Sequence, residues 1–136
     1  MPNPPCARVT AGAPFLGKQG FHYRPAISAE TVGARAIHMQ LVTIPPGVKA
    51  KAHRHVAHET AIYAIKGETV MDWGAKLEHR MHVKEGDFVY IPANMPHRPF
   101  NPSATEEAVA IIARTDPNEQ ESVELMPELE AYVQSA

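Results

Sequence analysis

The sequence predicts an all-β fold, a barrel or sandwich, on three observations. Thirteen prolines are dispersed from Pro2 to Pro127, a spread that strand ends and turns accept and a helical bundle tolerates poorly. Short apolar runs, several rich in β-branched residues, recur between Gly, Pro and Asn turn signals. Only the last segment, VELMPELEAYV, has helical composition, with Pro127 suited to a first helical turn.

Each element follows in order. Residues 1–35 are rich in Pro, Gly and Ala without a sustained period, and read as an N-terminal arm with one short edge strand. Ala36 to Ile44 is the first clear strand, stopped by the Pro-Pro-Gly at 45–47. ETAIYAIKGE is a strand ending in a turn at Lys66-Gly67, and TVMDWGAKLEHRMHV is a hairpin turning near Trp73-Gly74. KEGDFVYIPANMPH is a turn, a short apolar strand and a proline-bounded turn, and EEAVAIIART is a further strand. The predicted organisation is an arm at 1–35, a barrel core at 36–116 and a helical tail at 117–136, with no linker and no solenoid repeat.

Composition narrows the function. A chain of 136 residues, 44% hydrophobic and 21% charged, suits one globular domain with one core. A net charge of −2 gives no electrostatic footprint for nucleic acid. No apolar run approaches the roughly 20 residues of a membrane span. The start, MPNPPCARV, lacks the basic and apolar regions of a signal peptide, and the single cysteine, Cys6, permits no internal disulfide. A cytoplasmic protein is the expectation, without membrane or nucleic-acid partners.

Chemistry concentrates in HRHVAHET, residues 53–60. On a strand, residues two apart share a face, so His53 and His55 point together and Arg54 points away. Paired imidazoles can converge on one ion, and Glu59 lies close enough in sequence for a carboxylate to join them. Without cysteine ligands a closed structural zinc site is not expected. In a second stretch, GDFVYIPANMPHRPFN, Pro96 precedes His97, and a turn there aims His97 back at the barrel.

Together these stretches resemble the two motifs of the cupin superfamily. Gly47, His53, His55, Glu59 and Gly67 resemble the first motif: glycine, five residues, HxH, three or four residues, glutamate, about six residues, glycine. Gly86, Pro92, His97 and Asn101 match the second at each spacing, with Asn94 where the family has glycine. Asn tolerates positive φ better than other non-glycine residues, so the turn survives. Flanking phrases are similar to small single-domain cupins of the mannose-6-phosphate isomerase or sugar-epimerase (RmlC-like) type, a likeness of fold that transfers no substrate.

The resemblance implies a jelly-roll β-barrel, a double-stranded β-helix, holding a divalent metal on His53, His55, Glu59 and His97. Mn or Fe is the first choice, with Ni, Co and Zn open. One departure bears on the ligand set. Seven residues separate Glu59 from Gly67 where the family has six, and counting back from Gly67 lands on Thr60, a poor ligand. Either a bulge absorbs the extra residue and Glu59 turns inward, or His58 takes its place; Glu59 is the ligand predicted here. Tyr63, four residues on, and Phe100 are expected near the metal or lining a pocket, and His38 and Gln40 share a strand face and join them if that face is interior. Four protein ligands leave about two coordination positions open, which suits a dioxygenase or isomerase acting on a small polar carbonyl or enol. The alternative is a binding or sensory cupin without turnover. A homodimer is expected, since open barrels hide strand edges in a partner.

Overall fold

The computed structural model describes residues 2–132. Eleven strands among them run β1 Phe15–Leu16, β2 His22–Ile27, β3 His38–Ile44, β4 His53–His55, β5 Thr60–Lys66, β6 Thr69–Trp73, β7 His79–Val83, β8 Phe88–Ile91, β9 His97–Phe100, β10 Ala108–Arg114 and β11 Val123–Leu125. They form two antiparallel sheets, one ordered β1-β2-β3-β10-β5-β8 and the other β11-β4-β9-β6-β7. The two sheets wall a common interior cavity, the arrangement expected of an all-β cupin barrel.

Alternation along each strand decides what faces that interior. In β3 the burial pattern places His38, Gln40, Val42 and Ile44 inward and Met39 outward. In β5, Thr60, Ile62 and Ala64 line the cavity, while Ala61, Tyr63 and Ile65 face out. Antiparallel pairing then stacks inward residues in rows: Gln40 opposite Ile112 and Ile112 opposite Ile62, Val42 opposite Ala110 and Ala110 opposite Ala64. A bulge in β5 absorbs one residue, since Lys66 pairs with Val109 while Ala64 pairs with Ala110, leaving Ile65 unopposed. Gly67 follows at φ 73°, where a Cβ would meet the Glu107 carbonyl oxygen at 2.6 Å, so no other residue fits without a backbone shift.

Two expected boundaries are too narrow. The N-terminal arm is structural: β2 pairs with β3, and Phe21 and Tyr23 join Val42, Ile44, Ala50 and Ala108 in the main core cluster. Burying such aromatic and branched side chains contributes about 1.5–3 kcal/mol each. Pro25 sits where the β2–β3 register shifts, one of the places a sheet accepts proline. The tail is not simply helical either. It gives β11, which pairs with β4, then a 3-10 helix at Pro127–Tyr132. Residues 133–136 of the expected tail helix lie outside the described residues.

The second motif's polar residues have structural work. Asn101, 2% exposed, donates through Nδ2 to the carbonyls of Ile44 (3.0 Å) and Glu106 (2.8 Å) and accepts from Ser103 N–H at 2.9 Å. It thereby ties the end of β3 to the β9–β10 connection. Asn94 takes φ 64°, as its place in the motif requires; it donates its N–H to the His55 carbonyl at 2.9 Å and accepts the Ala57 N–H through Oδ1 at 3.1 Å. These two bonds fix the turn that leaves β4 just after the paired histidines.

Candidate metal centre

Strand geometry brings the histidines of both motifs together. β4 lies between β11 and β9, and His53 stands directly opposite His97. His55 follows two residues along on the same face. All three imidazoles are buried, at 2%, 6% and 2% exposure for His53, His55 and His97. Ring centroids lie 4.2 Å apart for His53 and His97, 4.8 Å for His55 and His97, and 5.2 Å for His53 and His55.

His53 and His97 are held by hydrogen bonds through Nδ1 and His55 Nδ1 is in close contact with Glu121, which leaves Nε2 of each ring free for the others. His53 Nδ1 donates to the Lys51 carbonyl at 2.6 Å, and His97 Nδ1 donates to the Met95 carbonyl at 2.9 Å. His55 Nδ1 lies 2.5 Å from Glu121 Oε2, and its Nε2 lies 3.1 Å from His97 Nε2. With the protons on Nδ1, three Nε2 lone pairs face one another and no proton lies among them. Facing lone pairs repel unless a cation sits between them. One donor atom from each ring falls within 4.8 Å of the others, so the set fits a divalent metal ion. Burial keeps His53 and His97 neutral. Desolvation, then the neighbouring His55, lowers the His53 pKa to about 4, and desolvation holds His97 well below the ordinary histidine range.

The predicted carboxylate is not in this group. Glu59 is exposed and its Oε1 accepts a 2.6 Å hydrogen bond from the Tyr90 hydroxyl, outside the barrel. The cause is strand register. β5 begins at Thr60, whose side chain faces the cavity at 2% exposure, so the residue before it must face out. The bulge exists, but at Ile65, beyond Thr60, where it cannot turn Glu59 inward. Thr60 therefore occupies the inward position, and its hydroxyl has no protein partner.

A carboxylate reaches the histidines from the C-terminal segment instead. Glu121 Oε2 lies 2.5 Å from His55 Nδ1 and 3.1 Å from His58 Nε2. Its Oε1 accepts from Gln19 Nε2 at 3.5 Å and lies 3.9 Å from Arg114 Nη1. Burial alone would raise this carboxyl group; hydrogen bonds from His55 and His58, with Arg114 nearby, outweigh it and hold Glu121 well below the usual carboxylate range. His58, the competing donor, is buried but turned toward Glu121, and groups with His55 and Glu121, not with His53 and His97. A carboxylate that accepts from a ligating histidine fixes its tautomer and raises its basicity.

The other predicted pocket residues divide. Gln40 lines the cavity beside the histidines. His38 is on the interior face and 1% exposed, but it lies in the row of Thr60 and Arg114, off the cavity wall, with neither ring nitrogen partnered. Tyr63 faces out, 37% exposed, with its ring 4.7 Å from that of Phe88. Phe100 is buried on the opposite side of β9 from His97 and Pro99, under Lys49 and Arg80. Both corrections follow from the two-residue period of a strand.

These shifts predict acid sensitivity in the metal-stripped protein. Unfolded chains protonate histidine below about pH 6.5, whereas folded His53 stays neutral until about 4. The unfolded state binds more protons in that window, so stability falls as pH drops from about 6.5 to 4. His53 alone costs about 2 kcal/mol between pH 7 and 5, and His38, also lowered to about 4 by burial, adds in the same direction. Chemical denaturation at the two pH values measures this; an unchanged midpoint contradicts neutral buried histidines.

Comparison with known proteins agrees with the fold. The chain is 26% identical over 85 residues to the uncharacterised protein MJ1618 of Methanocaldococcus jannaschii, covering 62% of this chain and 66% of that one. Among solved structures it resembles oxalate decarboxylase from Bacillus subtilis (TM-score 0.69, 22% identity, 90% of this chain and 31% of that one). It also resembles a Cupin 2 conserved barrel domain protein from Salinispora arenicola CNS-205 (TM-score 0.61, 21% identity, 73% and 78%). The chain thus spans about a third of the decarboxylase and just under two thirds of the archaeal relative, and the structural likeness is one of fold. The Cupin domain family model matches residues 40–113, from the Gln40 strand to the end of β10, and this chain belongs to the cupin family.

Proposed function

We propose that this chain is a metal-dependent enzyme of the dioxygenase or isomerase type, acting on a small carbonyl- or enol-bearing molecule. One observation carries the reading: three buried histidines converge on a point at the wall of an internal cavity, leaving the cavity side free for a ligand. When bound there, a divalent ion, with Mn or Fe our first choice, supplies Lewis acidity and open positions for a chelating head group. The chain's own residues do the rest. Lys51 and Met95 carbonyls and Glu121 hold the three rings in one tautomer. The Thr60 hydroxyl and the Gln40 amide reach the cavity as hydrogen-bonding groups for a substrate oxygen, and the apolar walls exclude water.

The test is reconstitution. Protein loaded with Fe or Mn, assayed against a panel of diketones, enols and 2-oxo acids, is expected to consume O₂ or to isomerise one of them. Metal-loaded protein that binds a panel member tightly and changes none of them supports the second reading, a binding cupin. That reading has one observation in its favour: where the family motif carries a glutamate, this cavity has a threonine.

We further propose a homodimer. The outer face of the six-stranded sheet exposes Met39, Tyr63, Ile65, Phe88 and Tyr90, and β8, which carries the last two, is an edge strand. A second copy presents the same apolar face to it across a two-fold axis. Light scattering at micromolar concentration is expected to give twice the chain mass, and a monomer contradicts the proposal. Among the described residues no helix is long and apolar enough to cross a membrane, and we take the cytoplasm as the compartment because Cys6 is unpaired.

A further inference from the structure

The cavity wall is graded from polar to apolar. At the metal end of the six-stranded sheet the first inward row carries Thr60, and the second carries Gln40 with Ile112 and Ile62. The next rows are Tyr23, Val42, Ala110 and Ala64, with the Tyr23 hydroxyl paired with Gln19, then Ile44 and Ala108. The facing sheet repeats the gradient: beyond the histidines the wall is Pro99, Met71 and Val83, with Thr69 at the far end. No arginine lines this cavity. Lys66, its single lining lysine, closes the end of β5 roughly 20 Å of strand from Thr60 and turns to Glu107 at 3.6 Å, half exposed.

Size and charge then select a ligand. The space open to the centres of water-sized spheres is about 80 Å³. At roughly 10–15 Å³ of such space per water-sized volume, the room it offers a ligand corresponds to about 150–240 Å³ of liquid, the bulk of a benzene ring with a small head group. A compact dianion at the histidines finds no second cation nearer than Lys66 at the far end, and a carboxylate pressed against the Ala64–Ala110 row is desolvated without a partner. An apolar row instead gains from covering by carbon.

We propose that the ligand of this site carries one chelating carbonyl head, a 2-oxo acid or 1,3-dicarbonyl, on an apolar aryl or branched-alkyl body that lies along the Val42–Ala110–Ala64 row. This deepens the metal-centre reading and rests on it. The small polar substrate expected from the sequence is thereby replaced by an amphipathic one.

The experiment uses the whole chain loaded with Zn²⁺, which is redox-inert, and reads binding by calorimetry. The probes are phenylpyruvate, pyruvate, which has the same head with no body, and oxalate, which has two charged heads. Zinc stoichiometry is measured first. Phenylpyruvate is expected to bind at least tenfold more tightly than either of the others. Ala110→Leu, which fills the apolar row two inward rows beyond that of Thr60, is expected to weaken phenylpyruvate at least fivefold and to leave pyruvate affinity and zinc content unchanged. Ala64→Val, a smaller intrusion into the same row, is expected to weaken it in the same sense and serves if the leucine variant does not fold. Zinc bound stoichiometrically with equal affinity for the three probes, or with oxalate tightest, overturns this inference and leaves the metal centre standing. Failure to bind zinc overturns both.

Discussion

Replacing His97 by alanine is expected to remove metal binding almost entirely. His97 is buried at the centre of the cluster, with its Nε2 3.1 Å from that of His55 and its ring 4.2 Å from that of His53. Losing one of three imidazoles leaves two donors on one strand, and the loss exceeds the 10–100-fold that removal of an outer hydrogen-bond partner costs. The fold should survive. The ring's own hydrogen bond, to the Met95 carbonyl, contributes about 1 kcal/mol, and the metal-free protein also sheds the repulsion among facing lone pairs. Elemental analysis after purification without added metal, beside far-ultraviolet circular dichroism, separates loss of the ion from loss of structure. A variant that folds and retains a full complement of metal contradicts the assignment.

The second large effect distinguishes two glutamates. Glu121→Gln is expected to weaken metal binding 10–100-fold and to lower stability by about 2 kcal/mol. The amide keeps the shape, but it removes the charge that His55 and His58 share and sets an N–H against one of them. Glu59→Gln is expected to change metal affinity less than twofold, because that carboxylate touches the exposed Tyr90 hydroxyl outside the barrel. Competitive titration against a chelator of known affinity compares the two. The reverse order, with Glu59 costly and Glu121 neutral, would return the first-motif glutamate to the site.

The register argument explains what the sequence discloses and what it conceals. His53, His55 and His97 are legible because a two-residue period and a proline-bounded turn are local properties, and the structure brings the three together. Asn94 is legible for the same reason: a motif position needing positive φ carries the residue next best suited to it. Glu59 misleads because its chemistry suits a ligand, while β5 pairing sets which residue faces inward. The count back from Gly67 to Thr60 was the available signal, and residue type argued against heeding it. Glu121 had no such signal. It meets His58 across 63 positions of sequence, through a β11 strand of three residues whose surroundings read as helix. The outward turn of Tyr63 and the burial of Phe100 on the far side of β9 depend likewise on which face of a strand is walled in, and only pairing partners decide that.

The most direct measurement is the position of the ion itself. In crystals of the protein loaded with Mn²⁺ or Zn²⁺, an anomalous difference map should show one peak per chain, bonded at about 2.0–2.2 Å to Nε2 of His53, His55 and His97, with Glu121 on the far nitrogen of His55 and the remaining positions open to the cavity. A peak ligated by Glu59, or no peak among the three histidines, would contradict the account.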